Sequence, residues 1–322
     1  MRLLAAFAAW LPRALLTLAA IGLLNFMLIR LAPGDPAAVI AGESGAADAA
    51  FLEKIRADYG LDQPLPVQVA AYLGRLAQLD LGVSYRSNVP VSQLIGQRLP
   101  ATLLLTGTAL VLAIAAGTAL GIAAARRRGG VLDVAIGSFA MLAYAMPVFW
   151  VGLLLVLVFS VGLGWFPAFG MASLIPRQGF AAVLDVAHHL VLPAVTLTLL
   201  HLAVYVRLAR ASTLEVLGRD FVRTAQAKGL TEGQVLRGHV LRNALLPTVT
   251  MAGLQVGHLV GGAVVIETVF AWPGIGRLAF DALLQRDYAV ILGVFFVSSV
   301  MVVLANLVTD LVLRLIDPRI GR

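Results

Sequence analysis

Three groups of polar residues interrupt an otherwise apolar sequence, and none has the make-up of a reaction centre. Gln255 and His258 are three residues apart, so on a helix they share one face. Thr198 and His201 repeat that spacing in an earlier apolar stretch. Polar side chains inside apolar helices are costly and tend to line water-filled paths, which makes His201, Gln255 and His258 candidate pore-lining residues. The third group is the run DFVRTAQAKGLTEGQVLRGHVLRNALLP, Asp220 to Pro247, polar and basic between two apolar segments.

Covalent and hydrolytic chemistry lacks its parts. No GxxxxGK[ST] run occurs, and neither Lys54 nor Lys228 sits in such a setting, so that route to ATP is closed. There is no HExxH, no GxSxG elbow with suitable His and Asp, and no cysteine for a disulfide or thiolate metal site. His188 and His189 are adjacent and point to different sides of a helix, a poor metal pair. The apolar stretches hold almost no Asp or Glu away from their ends, so the marks of a self-contained ion-coupled transporter are weak. The expectation is a chain with no catalytic residues, no metal and no cofactor of its own, whose energy for any pumping comes from elsewhere.

The elements that carry these groups follow from composition. The chain has 322 residues, 60% of them hydrophobic and only 13% charged, with a mean hydropathy of +0.92. Soluble domains run near 25% charged, so this is an all-α polytopic membrane protein. Six apolar segments reach the ~20 residues a bilayer needs, at about 10–31, 101–125, 131–162, 189–209, 246–270 and 289–313. The first is too long for a signal peptide and reads as a retained helix. The net charge of +7 reflects Lys and Arg in cytoplasmic loops rather than a nucleic-acid partner. Arg2, Arg13, Arg126 to Arg128, the bases from Arg207 to Arg242, and Arg314, Arg319 and Arg322 all fall on one side, which places both termini in the cytoplasm. Residues 32–100 then form an outer segment, helical around Ala46–Tyr59 and amphipathic over Leu65 to Leu79, that gates, docks or plugs. Gly117 and Gly121, and Gly253, Gly257 and Gly261, are spaced for close helix approach, either for internal packing or at an interface or pore. Asp133 reads as charge balance for the Arg126–Arg128 cluster.

Asp220 to Pro247 predicts two short helices with a sharp corner between them. Asp220 is a candidate N-cap, Gly229 suits the left-handed C′ position with Leu230 closing the turn, and Thr231 opens a capping box with Gln234. Pro247 marks where the next helix begins or bends.

This corner resembles the EAA loop of ABC-transporter permeases, the membrane subunits of binding-protein-dependent importers. Arg223, Thr224, Ala225 and Gly229 stand where the general motif has Glu, Ala, Ala and Gly. The departure at Arg223 and the long interval to Pro247 are similar to the dipeptide, oligopeptide and nickel branch, whose B-type permease carries a YVRTARAKGL-like run; here it is FVRTAQAKGL. LIRLAPGDPA (Leu28 to Ala37), YGLDQPLPVQ (Tyr59 to Gln68), the run from Leu79 to Leu105, ETVFAWPGIGRL (Glu267 to Leu278) and DPR (Asp317 to Arg319) resemble the same branch in the same order.

The resemblance implies a type I importer permease fold with six transmembrane helices. It implies an N-terminal helix and outer segment over 1–97, a permease domain over 98–314 with its coupling loop at 213–247, and a cytoplasmic tail at 315–322. Asp220, Phe221, Val222, Arg223, Thr224, Ala225, Gln226, Ala227, Lys228, Gly229 and Leu230 would form the helix that docks on a cytoplasmic ATPase, with Ala225 and Ala227 small enough for close contact. Glu267, Trp272, Pro273 and Gly274 would form part of the outer mouth, although Trp272 alone also reads as an interfacial anchor. The implied partners are a C-type sister permease, two ABC ATPase subunits that bind ATP and magnesium, and an extracytoplasmic solute-binding protein. The implied location is a bacterial inner membrane. The implied cargo is a di- or oligopeptide; nickel or glutathione would use the same architecture. A stand-alone secondary transporter would need intramembrane acids or an internal inverted repeat.

Overall fold

The computed structural model describes residues 2–31, 62–256 and 263–316, and among them the regular structure is helical throughout. In order the helices are α1 (Arg2–Leu31), α2 (Leu65–Ala77), α3 (Val91–Arg126), α4 (Val131–Ala145), α5 (Val148–Leu155), α6 (Phe180–Leu217), α7 (Asp220–Ala227), α8 (Glu232–Val235), α9 (Leu241–Ala244), α10 (Leu246–Val256), α11 (Val264–Val269), α12 (Ile275–Leu284) and α13 (Tyr288–Ile316). Two π-helical stretches, Val156–Gly162 and Leu236–Val240, continue α5 and join α8 to α9. The predicted helix around Ala46–Tyr59 and the Gly257–Gly261 spacing lie outside the described residues. α1, α3, α6 and α13 are each long and apolar enough to cross a membrane, and α4 with α5 and its π-helical continuation would make a fifth span. The predicted segment at 246–270 appears as α10 and α11 on either side of residues 257–262, which are not described.

The chain divides into two compact units, Met1–Pro100 with Leu278–Val303, and Ala101–Arg277 with Leu304–Arg322. In the first unit α2 begins just after Pro64, which sets φ for a helix start, and packs on α1 through Phe26 and Tyr72, whose ring centroids are 5.6 Å apart. Gly22 of α1 leaves room for Leu73 and Leu76. Ser84 Oγ donates to Asp287 Oδ2 at 2.5 Å, tying the stretch after α2 to the start of α13.

In the second unit α6 is the axis. Its 38 residues span about 57 Å, nearly twice the ~30 Å of a bilayer core. The predicted span at 189–209 is therefore only its middle. Pro193 sits inside it without ending it. α4 packs along α6 through Ile136 and Ala140 against Leu202, Ala203 and Val206. α3 meets α6 at Gly117 and Gly121. A Cβ on Gly117 would lie 2.5 Å from Tyr205 Cβ, and one on Gly121 would lie 2.6 Å from the Val206 carbonyl oxygen. The four-residue glycine spacing on α3 thus serves packing within the chain.

The predicted single span over 131–162 is broken. Helices α4 and α5 with its continuation meet at a 106° bend. Pro147 has no N–H, and the residue before a proline is driven from helical to extended backbone; Met146 sits at φ −79°, ψ 140°. Asp133 stays within the field of Arg128, as expected, but its main partner is a distant one. Its carboxylate takes a bidentate pair from Arg210 of α6, Nε to Oδ1 at 2.6 Å and Nη2 to Oδ2 at 2.7 Å, and accepts the Gly129 N–H at 2.9 Å.

Gly121→Val should therefore force α3 and α6 apart and cost about 1–3 kcal/mol. Thermal unfolding of the detergent-solubilised protein checks this. Gly107→Ala on the same helix, where an added Cβ meets nothing within 4 Å, should be neutral or slightly stabilising.

Candidate functional site

The corner after α6 is built from local rules. α7 ends at Lys228, Gly229 follows at φ +82°, and two backbone bonds close the turn. Gly229 N–H donates to the Gln226 carbonyl at 2.9 Å and Leu230 N–H to the Ala225 carbonyl at 3.4 Å. This pair of bonds is the Schellman closure, and a left-handed residue makes it possible. Thr231 N–H then donates to Gln234 Oε1 at 2.9 Å, closing the expected capping box at the start of α8. α10 begins at Leu246, with Pro247 in its first turn. The N-terminal expectation shifts by one residue: Arg219 is the N-cap, and Asp220 is the first helical residue, where its charge faces the positive end of a short helix. Arg219 is the residue with the extended, non-helical backbone that the N-cap position requires.

This corner has a core of its own. Val216 at the end of α6, Val222 and Ala225 on α7, and Val235, Val240 and Ala244 beyond the turn are buried together. Val222 and Ala225 are three apart, so they lie on one face of α7, and that face is turned into the chain. Ala225 packs into this core and also reaches the cleft beside α7; Ala227 is exposed. The outward face carries Phe221, Arg223, Thr224, Gln226, Lys228 and Leu230. A shallow cleft of about 420 Å³ is lined by Phe221, Thr224, Ala225, Lys228, Leu230 and His239. Arg223 lies 3.7 Å from Asp220 with both side chains solvated, a pair that contributes little to stability and leaves the guanidinium able to exchange partners. Arg126, in the last turn of α3, approaches Glu232 at 3.8 Å.

The candidate pore residues are not assembled into one site. His201 is half-buried on α6 and Gln255 half-buried on α10, with no hydrogen bond between them among the described residues; His258 lies outside those residues. Thr198 is turned against α3, its Oγ1 donating to the Ala109 carbonyl at 3.2 Å. His188 and His189 face different partners, the Trp165 and Asp185 carbonyls at 2.7 and 2.8 Å.

Glu267 and Trp272 are both fully buried. Thr102 Oγ1 donates to Glu267 Oε1 at 2.6 Å, and Arg277 N–H donates to Oε2 at 2.9 Å. Thr102 Oγ1 in turn accepts the Ile275 N–H at 2.8 Å, and Trp272 Nε1–H donates to the Ala101 carbonyl at 2.8 Å. Gly274 is obligatory, because a Cβ there would lie 2.1 Å from the Glu267 carboxyl carbon. The carboxylate is thus the peg around which the AWPGIGR turn folds. Trp272 is no interfacial anchor, since its indole is enclosed by the chain itself; of the four residues expected at the outer mouth only Pro273 is partly exposed. Thr102 and Arg210 carry no local motif and were invisible to spacing arguments.

Comparison with known proteins identifies the family. Residues 117–322 match the family described as binding-protein-dependent transport system inner membrane component, and residues 8–106 match the N-terminal region of such membrane components. The chain is 40% identical over 322 residues to the dipeptide transport system permease protein DppB of Escherichia coli K12, covering 94% of this chain and 95% of that one. It is 42% identical over 303 residues to the oligopeptide transport system permease protein AppB of Bacillus subtilis, covering 93% and 94%. In fold it is similar to the MetNI methionine ABC transporter in an inward-facing conformation, with a TM-score of 0.52 at 18% identity over 70% of this chain and 96% of that chain.

Two substitutions test the geometry. Gly229→Val places a β-branched residue at φ +82° and should cost about 1–2 kcal/mol locally, read as faster amide exchange across 220–231 with the spans unaffected. Glu267→Ala leaves the Thr102 hydroxyl and the Arg277 N–H without their acceptor and should cost on the order of 3 kcal/mol, read as a lower unfolding temperature in detergent.

Proposed function

The chain belongs to the family of binding-protein-dependent transport system inner membrane components, and we propose that it is the B-type permease of a peptide importer, coupled to its ATPase through the corner at Asp220–Leu230. It forms half of a translocation pore with a C-type sister permease. Two cytoplasmic ATPase subunits supply the energy and a solute-binding protein delivers the cargo. In this reading the chain crosses the membrane six times with both termini in the cytoplasm, α10 and α11 completing the count, and residues 32–100 face outward. Peptide is favoured over nickel or glutathione because relatives similar over nearly the whole chain are named for dipeptides, oligopeptides and di- or tripeptides.

The observation that carries the coupling role is the corner's placement and stiffness. α7 follows α6 after two residues, and the helical run from Glu232 leads into α10, so the corner lies in series between two helices that run into the apolar part of the chain. Its core packs α7 against the end of α6 and against the run that enters α10. A push on the outward face of α7 therefore moves both helices together. Such a device switches between discrete packings rather than bending. Phe221 and Leu230, exposed on either side of the Thr224–Lys228 face, offer apolar contact, while Arg223 and Lys228 offer charge to acidic groups or carbonyls of the ATPase.

In a complex purified with its ATPases and sister permease and reconstituted with the binding protein, Gly229→Pro with Lys228→Glu should lower binding-protein-stimulated ATP hydrolysis and peptide uptake at least about tenfold. The doubled change distorts the turn and reverses the charge at its tip, each worth on the order of 1–3 kcal/mol. Normal hydrolysis and uptake in that variant would remove the coupling role.

A further inference from the structure

Two arginines one turn apart on α6 are treated differently by the fold. Arg210 is neutralised by the bidentate pair to Asp133. Arg207 has no acidic partner among the described residues. Its Nε donates to the Ala203 carbonyl at 3.3 Å, and its guanidinium carbon lies 5.7 Å from the centroid of the Tyr144 ring. A cation over an aromatic face at that distance is held in place but keeps its charge.

Like other helical side chains, Arg207 leans toward the N-terminal end of its helix, here along the apolar stretch of α6 toward Ala203, and it remains exposed. Tyr144, half-exposed, is the second-last residue of α4, immediately before the 106° break at Met146–Pro147. A broken helix within the membrane is tolerated where it is enclosed by protein or lines a cavity, and such breaks recur where solutes bind. An exposed, unneutralised guanidinium beside a helix break is positioned to meet an anion that arrives and leaves.

We propose that Arg207, held by Tyr144, is a carboxylate-binding station in the translocation path, taking the C-terminal carboxylate of the passing peptide. This rests on the peptide-import reading. The C-terminal carboxylate is common to every free peptide, so a guanidinium fork that grips it bidentately recognises the class without reading side chains. The station holds the cargo by its main chain in the permease, complementing whatever selection the binding protein makes.

The complete transporter, reconstituted with its ATPases, sister permease and binding protein in proteoliposomes, is given radiolabelled dialanine. Arg207→Gln should lower dialanine taken up per ATP hydrolysed about tenfold, the loss expected for one charge-assisted contact, with binding-protein-stimulated ATP turnover unchanged. Arg207→Lys, which keeps the charge without the planar fork, should fall between wild type and Arg207→Gln. Unchanged uptake per ATP in Arg207→Gln overturns the proposal. An equal fall in ATP turnover and uptake overturns it in favour of a structural role, and loss of the sister permease on purification in favour of a subunit contact. A defect present in vesicles containing phosphatidylglycerol and absent in pure phosphatidylcholine overturns it in favour of lipid phosphate. Failure of the wild-type complex to take up either dialanine or a longer peptide, pentaalanine, removes the peptide reading and the station with it, and is recognised because no substitution is involved.

Discussion

A helix in lipid must satisfy its backbone within itself, which makes it stiff along its axis, and α6 uses that property across about 57 Å. Because one continuous helix runs from the apolar middle of the chain to the polar corner, lacking only the Pro193 N–H from its ladder, displacement at one end appears at the other. The rest of the second unit is arranged to hold that rod without breaking it. Gly117 and Gly121 bring α3 close enough for backbone contact at Tyr205 and Val206, and Ile136 and Ala140 of α4 pack along Leu202 to Val206. Near the polar end, where apolar packing gives way to charge, the Asp133–Arg210 pair takes over the fastening of α4 to α6. That pair is a clamp rather than a source of large net stability. Desolvating both partners offsets much of their attraction, but loss of either one would leave a charge stranded.

The helix interruptions fall outside α6. Pro147 ends α4 by chemistry, and the π-helical stretches at Val156–Gly162 and Leu236–Val240 are places where the ladder slips by one residue. The second of these sits inside the corner, next to Val235, Val240 and Ala244 of the local core. A π-turn there re-aims successive side chains so that both sides of the slip reach the same small core. The peg at Glu267 works differently. It fixes an irregular turn by giving backbone and hydroxyl donors a common acceptor, so the turn has little freedom of its own.

What the sequence revealed tracks the range of the interaction involved. The corner was legible because caps are local: Gly229, Leu230, Thr231, Gln234 and Pro247 act on backbone groups within five residues of themselves. The spans were legible because the bilayer imposes composition over about 20 residues. The bend at Pro147 was within reach, since a proline after a largely apolar run of 16 residues (Val131 to Met146) restricts the residue before it, but high hydrophobicity on both sides hid the break. Asp133 with Arg210, 77 residues apart, and Thr102 with Glu267, 165 apart, were not legible, because nothing local distinguishes a polar residue that will find a distant partner from one that faces water. Trp272 shows the same limit. A tryptophan near the end of an apolar segment has the composition of an interfacial anchor, and only the Ala101 carbonyl that receives its N–H reveals it as core.

The distribution of charge sharpens the division of labour within the chain. Among the described residues the buried carboxylates, Asp133, Asp185, Glu267 and Asp287, are all engaged by donors from within the chain. The exposed charges on α7 are of the opposite kind. Arg223 and Lys228 are exposed, and Arg223 is only weakly paired, with Asp220, so a partner surface gains its charge without first breaking a strong internal contact. The apolar residues that flank them, Phe221 and Leu230, lie at the rim of the same cleft. A partner that covered this face would bury apolar area at the rim and complement charge at the centre, while the inward face, Val222 and Ala225, remained locked in the corner's own core. The two faces of one eight-residue helix thus differ in kind: one is packed into the chain's own core, the other is exposed.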